Sequence, residues 1–175
     1  MTITVEVNFC KENQQIDFLP KVLAFEKKTT GVLAVYEINK GKLLIEQNVS
    51  ELKISSDKII SDILNNLVAL EKIGFYHGDI RLWNVCVKDD EAFLIDFGNI
   101  QRDIVDSVAS QFAPAMRYTV YDAFLALVYD ILTQKSYGSI RGYGYYLLSV
   151  FYDFSKIEKK YEIFFKSCLL LKDED

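Results

Sequence analysis

The clearest periodic pattern in the chain is a run of apolar residues at helical spacing in its first half. Ser55 or Ser56 is suited to cap a helix, with Asp57 in its first turn, and Gly74 is suited to end it. The apolar residues between these ends form one face: Ile59, Ile60, Ile63, Leu64, Leu67, Val68 and Leu70. The pattern therefore predicts a long amphipathic helix.

Two apolar runs before this helix predict strands. The first is Lys21–Glu26 and the second is Gly31–Ile38, and the polar residues between them are typical of a hairpin turn. Residues 4–15 fit either a short helix or a strand, because their periodicity does not distinguish the two.

After the helix, the pattern predicts a loop, a small hairpin and a helical region. The loop is Tyr76–Asn84, and the hairpin strands are Val85–Val87 and Phe93–Ile95, on either side of an acidic turn. Three helices are expected beyond it: Tyr118–Gln134, Tyr143–Asp153 and Ser155–Leu171. This order predicts an α+β fold whose C-terminal layer is helical.

The charge balance excludes one large class of partner. The chain has 175 residues, of which 20 are basic and 25 acidic, and its net charge is −5. Because it also has no basic stripe, nucleic acid is not expected as a partner. Half of the residues are hydrophobic, which is enough for the core of one domain spanning residues 1–175.

Cysteine and histidine usage argues against a zinc site and indicates a reducing compartment. Cys10, Cys86 and Cys168 lie far apart, and His77 is the single histidine. The N-terminus does not resemble a signal peptide, and no window of about 18 residues is apolar enough for a membrane-spanning helix. The expected location is therefore the cytoplasm.

Two short clusters carry the candidate chemistry. Residues 77–84 are His-Gly-Asp-Ile-Arg-Leu-Trp-Asn, and residues 95–98 are Ile-Asp-Phe-Gly. Mg²⁺ binds hard oxygen ligands, usually one or two protein groups together with water and phosphate oxygens. We therefore expect Asn84 and Asp96 to be metal ligands in a site for phosphoryl transfer.

Two further residues of the first cluster suit this chemistry. Asp79 can orient the hydroxyl group that accepts the phosphoryl group, and Arg81 can neutralise charge on that group. The spacing H-x-D-x-x-x-x-N followed by D-F-G is typical of the kinase superfamily. The alternative is that Asp79, Asn84 and Asp96 only form turns beside strands, in which case the two clusters would be unrelated. We expect His77 to brace the loop by hydrogen bonds.

The sequence around both clusters resembles the kinase domain of bacterial O-antigen chain-terminating enzymes. The resemblance covers Leu70–Val85, which ends in Arg-x-Trp-Asn where ordinary protein kinases usually have Lys-Pro-Glu-Asn, and Leu94–Ile100. Members of this family couple a methyltransferase to a kinase and phosphorylate the terminal sugar of a growing polysaccharide. The resemblance implies that Asp79 is the base and that Asn84 and Asp96 hold the metal.

The same resemblance extends upstream. It spans residues 5 to about 130, and the last 45 residues show none. Glu6 resembles the glutamate of kinase helix C, and the backbone of Glu37 and Ile38 corresponds to the hinge that binds adenine.

The resemblance implies a protein-kinase-like fold with an incomplete small lobe. Residues 1–40 would be the remnant of the small lobe with the hinge, and residues 41–175 the mostly helical large lobe. No glycine-rich loop or phosphate-binding lysine precedes Glu6, and Gly31 and Gly41 lie in no G-x-G-x-x-G arrangement. A partner chain that completes the small lobe is one explanation.

These observations predict a phosphotransferase that uses ATP and Mg²⁺ and acts on a sugar or polysaccharide hydroxyl. Two alternatives stay open. One is a pseudokinase that serves as a binding or scaffold module, and the other is a small-molecule kinase of the aminoglycoside or choline type. The aromatic and lysine-rich segment 143–171 fits helices packed under the large lobe, with a membrane-surface helix at the inner membrane as the alternative.

Overall fold

The computed structural model describes residues 3–29, 31–37, 41–104, 119–133 and 153–170. This part of the chain is a mixed α/β structure. Its helices are α1 (Ile3–Glu12), α2 (Ser56–Lys72), α3 (Val120–Thr133) and α4 (Lys159–Leu170). Its strands are β1 (Val22–Lys28), β2 (Gly31–Tyr36), β3 (Lys42–Leu43), β4 (Tyr76–His77), β5 (Val85–Lys88), β6 (Glu91–Leu94) and β7 (Ile100–Gln101).

Residues 4–15, which fitted either a helix or a strand, lie largely in helix α1. It buries Val7, Phe9 and Cys10 on one side and packs against the antiparallel hairpin of β1 and β2. The predicted hairpin is confirmed, although β1 begins at Val22 and continues to Lys28. The last predicted residue of the second strand, Ile38, lies outside the described residues.

Helix α2 matches the predicted amphipathic helix at both ends. The side chain of Ser55 accepts a hydrogen bond from Lys58 N at 3.2 Å, and Gly74 has a φ of +75°, which glycine adopts without strain. The buried face is narrower than predicted, because Leu64 and Val68 are 45% and 39% exposed. These two residues lie at the border of the apolar face and remain partly exposed to solvent.

Helix α2 also covers the free edge of the sheet formed by β3, β5 and β6. Asp62 Oδ2 accepts a hydrogen bond from Ala92 N at 3.1 Å, and Asn66 Oδ1 accepts one from Leu94 N at 3.0 Å. Helical residues four apart lie about 6 Å from each other, close to the step of about 6.8 Å between alternate strand residues. Two polar side chains of α2 therefore satisfy the edge of β6.

Helix α3 is almost completely buried. Its N-terminus has a reciprocal cap, in which Thr119 N donates to Asp122 Oδ2 at 2.9 Å and Asp122 N donates to Thr119 Oγ1 at 3.4 Å. Eleven of its residues are buried, which explains its apolar sequence. The predicted ends of this helix, Tyr118 and Gln134, lie outside the described residues.

The C-terminal prediction needs one correction. A single helix was expected over Ser155–Leu171, but the structure has a short 3₁₀ turn at Phe154–Lys156 and then α4, which starts at Lys159. Asp153 caps the turn by accepting from Ser155 N, so the chain closes there before the helix begins. Most of the helix predicted at 143–153 lies outside the described residues. No helix in the described ranges is long and apolar enough to cross a membrane.

Candidate active site

Backbone pairing brings the two sequence clusters together. Strand β4 pairs with β7, with His77 opposite Ile100, and the loop that follows β4 is thereby held beside the second cluster. Gly78 N donates to Asn99 O at 3.1 Å, and Ile95 N donates to Asn84 O at 2.9 Å. The alternative in which the clusters are unrelated turns is therefore wrong.

Asp79 and Asn84 are in direct contact. The Nδ2 of Asn84 donates to Asp79 O at 2.8 Å and to Asp79 Oδ2 at 2.9 Å, and both side chains are buried. Because both bonds use the amide nitrogen, neither occupies Asn84 Oδ1, which is the atom that could coordinate Mg²⁺. The five-residue spacing between the two residues thus folds into one compact polar unit.

Asp96 has an unusual backbone conformation, and its side chain is exposed although that of the next residue, Phe97, is buried. Its φ and ψ are 60° and 69°, in the left-handed region that Asp tolerates better than most residues, and its Oδ1 accepts from Gly98 N at 3.3 Å. The Asp96 side chain is exposed at the wall of a cleft, whereas Phe97 is fully buried. Phe97 packs against Phe9, Phe18 and His77 in the core.

Glu6 reaches the second cluster from α1. Its Oε1 accepts from Phe97 N at 3.2 Å and its Oε2 accepts from Tyr36 Oη at 3.3 Å. Burial raises the pKa of Glu6 and the nearby charge of Asp96 adds to the increase, while the two hydrogen bonds oppose it. Within the described ranges, Glu6 forms no ion pair with a lysine.

Arg81 is buried beside Asp79. Its Nε lies 3.7 Å from Asp79 Oδ1, and its Nη1 donates to Ile80 O at 2.6 Å. Only 3% of Arg81 is exposed. In this structure the guanidinium is therefore placed to fix the orientation of Asp79, and its contact with a phosphoryl group stays a prediction.

Asp130 is a charged neighbour of this unit that sequence reasoning missed. It lies on α3, which packs against the 3₁₀ turn at Leu82–Asn84, and it is 8% exposed. Burial raises the pKa of Asp130 to about 7, and the positive charge of Arg81 opposes the increase. No local sequence signal marks this residue, because its partner lies 49 positions away.

His77 braces the loop, as the sequence predicted. Asp79 N donates to His77 Nδ1 at 3.2 Å, so the proton of the neutral ring lies on Nε2, which donates to Ile95 O at 3.0 Å. Burial lowers the pKa of His77, and the ring is therefore neutral at ordinary pH. Trp83, the neighbour of Asn84, is partly buried.

A cleft of about 620 Å³ lies beside these residues. Its wall includes Glu6, Glu37 and Asp96, all of which were predicted from the sequence, and also Tyr36, which was not. Asp79 and Asn84 are not part of this wall. The described residues contain no cluster of three or more His, Cys, Asp or Glu side chains that could hold a metal.

Comparison with known proteins identifies a related protein. Two curated Escherichia coli proteins, both named O-antigen chain terminator bifunctional methyltransferase/kinase WbdD, are 42% identical to this chain over 82 residues. Over these 82 residues this chain is homologous to WbdD. The predicted resemblance is thereby confirmed, and no family model matches the chain.

Solved structures of WbdD share the fold. The crystal structure of monomeric WbdD superimposes with a TM-score of 0.57 and 29% identity, over 77% of this chain and 30% of that chain. A medium-resolution structure of the bifunctional kinase-methyltransferase gives a TM-score of 0.53 and 26% identity, over 83% of this chain and 38% of that one. The sequence match covers 46% of this chain but only 12% of the curated relatives' length.

Proposed function

We propose that this chain is a phosphotransferase with a protein-kinase-like fold, which uses ATP and Mg²⁺. The observation that supports the proposal is the pairing of the two clusters: Asp96 lines the cleft, and the loop that carries Asp79 and Asn84 is hydrogen-bonded beside the segment that precedes Asp96. Homology to a protein named as a methyltransferase/kinase supports a kinase in preference to other enzymes with paired carboxylates. Residues 1–40 would form the small-lobe remnant and hinge, and residues 41–175 the large lobe.

Each residue has a distinct role in this proposal. Asp96 and Asn84 would hold Mg²⁺, which supplies charge neutralisation for the phosphates when bound. Asp79 would accept a hydrogen bond from the acceptor hydroxyl and orient it towards the phosphoryl group. Arg81 would keep the Asp79 carboxylate in place and lower its electrostatic repulsion of the phosphates.

The nucleotide would occupy the cleft between the hinge and Asp96. Glu37 lies in the wall, and its backbone N donates to Lys21 O at 2.8 Å, so any contact with adenine would use another backbone group of the segment that includes Ile38. Glu6 would act by supporting Phe97 and Asp96 and would not touch the phosphates, since its two oxygens already accept from Phe97 N and Tyr36 Oη.

The acceptor would be a sugar or polysaccharide hydroxyl. This part of the proposal rests on the name of WbdD, which describes a terminator of O-antigen chains. The cleft itself does not specify the acceptor, because Asp79 is not part of its wall.

A pseudokinase is the second candidate, and one observation favours it. Among the described residues no lysine pairs with Glu6, and that pair positions the nucleotide phosphates in protein kinases. A partner chain that supplies this lysine would reconcile the observation with an active enzyme.

Titration calorimetry separates the two candidates at the binding step. We expect wild-type protein to bind ATP in the presence of Mg²⁺ more tightly than in its absence, with a Kd nearer to millimolar than micromolar. Asp96→Asn should remove the effect of Mg²⁺, because it removes the anionic ligand. Equal, Mg²⁺-independent binding by both proteins would favour the scaffold function.

A further inference from the structure

Asn66 places an unused hydrogen-bond donor in the wall of the cleft. It lies on α2, is only 9% exposed, and still lines the cleft. Its one hydrogen bond in the described part of the chain is made by Oδ1, which accepts from Leu94 N at 3.0 Å. The Nδ2 group is therefore left with two N–H donors that have no protein acceptor among these residues.

The orientation of this amide is fixed by the sheet. If the amide were flipped, its NH₂ group would face the N–H of Leu94, two donors would oppose each other, and the edge of β6 would lose its acceptor. Oδ1 must therefore face β6, and Nδ2 is left without a protein acceptor within the described ranges, on a side chain that lines the cleft. A ligand that displaced water from Nδ2 without accepting a hydrogen bond would leave a buried donor unsatisfied, which opposes binding.

The position of Asn66 indicates which part of a nucleotide it would meet. Its partner Leu94 precedes Asp96 by two residues, about 7 Å along an extended chain, so Asn66 lies beside the metal end of the cleft but is not part of it. Asp62, which lies one helical turn before Asn66 on α2 and also lines the cleft, is paired with Lys58 at 2.6 Å. A neutral, polar group suits this position better than a phosphate.

We propose that Asn66 Nδ2 donates a hydrogen bond to the nucleoside part of the bound nucleotide, either to the ribose or to the base. This inference rests on the proposed function, since that function places a nucleotide in the cleft. It adds a binding residue that lies on α2, outside the two sequence clusters and the hinge. Asn66 would thus have two roles, one in the sheet and one in the ligand site.

The test compares two ligands and two matched variants. Asn66→Asp keeps an oxygen for Leu94 N but replaces the donor with a carboxylate oxygen. Asn65→Asp introduces the same charge at the neighbouring residue, which also lines the cleft but is exposed. Calorimetry is carried out with adenosine and with ATP and Mg²⁺, and Asp96→Asn is included as a reference.

We expect Asn66→Asp to weaken binding of both ligands by a similar factor of about 10 or more, since a donor becomes an acceptor with a negative charge. Asn65→Asp should change either affinity by less than about threefold, because solvent screens an exposed charge. Asp96→Asn should weaken binding of ATP with Mg²⁺ but leave adenosine binding unchanged.

Three results would overturn the inference. Equal affinity of wild type and Asn66→Asp would show that no ligand atom accepts from Nδ2. An effect confined to ATP with Mg²⁺ would place the contact at the phosphates. If wild type bound neither ligand, the proposed function would fail as well, whereas the first two results leave it intact.

A second measurement does not depend on the folding of a variant. In wild-type protein labelled with ¹⁵N, the side-chain NH₂ resonances of Asn66 should shift on titration with adenosine more than those of Asn65. Unchanged Asn66 resonances at saturating adenosine would overturn the inference.

Discussion

Asp130→Asn should make the protein more stable, and increasingly so as the pH rises. Asp130 is buried, and its pKa is raised from 3.8 to about 7 by desolvation, against the opposing effect of Arg81. Between these two pH values the unfolded chain loses the proton of Asp130 while the folded protein keeps it. Stability therefore falls as the pH rises from about 4 to about 7, and asparagine at this position removes the effect.

The magnitude follows from the size of the shift. A difference of about three pKa units corresponds to about 4 kcal/mol, at most, of destabilisation by the ionised carboxylate above pH 7. At pH 5 only part of this destabilisation has developed, because the pH is still close to the unfolded-state pKa of 3.8. The stability difference between Asp130→Asn and wild type should therefore grow by about 3 kcal/mol between pH 5 and pH 8.

Chemical denaturation at pH 5 and pH 8 measures this difference directly. Asp122→Asn is the control, because Asp122 is a buried carboxylate on the same helix that accepts two hydrogen bonds from Thr119. We expect this control to lower stability by about 1 kcal/mol at both pH values through the weakened cap. A difference for Asp130→Asn that did not vary with pH, or a loss of stability at pH 8, would refute the reasoning and show that an ionised Asp130 holds Arg81 in place.

Two further substitutions test the packing that positions the site. Phe97→Ala should lower the free energy of unfolding by about 3–5 kcal/mol in urea denaturation, because it empties a fully buried space between Phe9, Phe18 and His77; a loss below 1 kcal/mol would contradict this packing. Gly41→Ala should cost about 1–3 kcal/mol in the same assay, because its Cβ would lie 2.3 Å from Cys86 Sγ. Cys86→Ala in that background should recover part of the loss, and no recovery would argue against the contact.

Those parts of the fold whose signals are local could be predicted from the sequence. Helix α2 has a cap, a periodic face and a terminal glycine within 20 residues, and the hairpin of β5 and β6 surrounds a two-residue acidic turn. Helix α1 could not be assigned, because a short segment with mixed periodicity becomes helical only through packing against β1, β2 and the second cluster. The break before α4 depends on the local cap at Asp153, which periodicity does not indicate.

In the candidate site, too, contacts between residues that are close in sequence could be predicted, whereas contacts between distant residues could not. Asp79, Asn84 and Asp96 lie within one short stretch of sequence, and their spacing predicted that the two clusters are related, which agrees with the hydrogen bond from Ile95 N to Asn84 O. The contacts of Glu6 with Phe97, 91 positions apart, and with Tyr36, 30 positions apart, required the fold. The resemblance predicted Glu6 itself, but nothing in the sequence indicated Tyr36 as its partner.

The buried polar residues around the site show why spacing alone is not sufficient. Asn66 is a polar residue of an amphipathic helix, and no sequence pattern indicates that its amide satisfies the edge of β6 or that it lines the cleft. Arg81 looked free to reach a phosphate, but it is buried beside Asp79. Both outcomes depend on which elements pack against the residue, and a single sequence does not contain that information.

The most direct test of the central claim is phosphoryl transfer itself. Wild type and Asp79→Asn are incubated with ATP, Mg²⁺ and a set of sugar acceptors, and phosphorylated product is followed by ³¹P NMR. We expect slow, Mg²⁺-dependent transfer by wild type and a loss of at least about 100-fold in rate for Asp79→Asn, with ATP affinity nearly unchanged, because Asp79 would contact the acceptor hydroxyl and not the nucleotide. Equal rates for the two proteins, or ATP binding without transfer to any acceptor, would contradict a catalytic function.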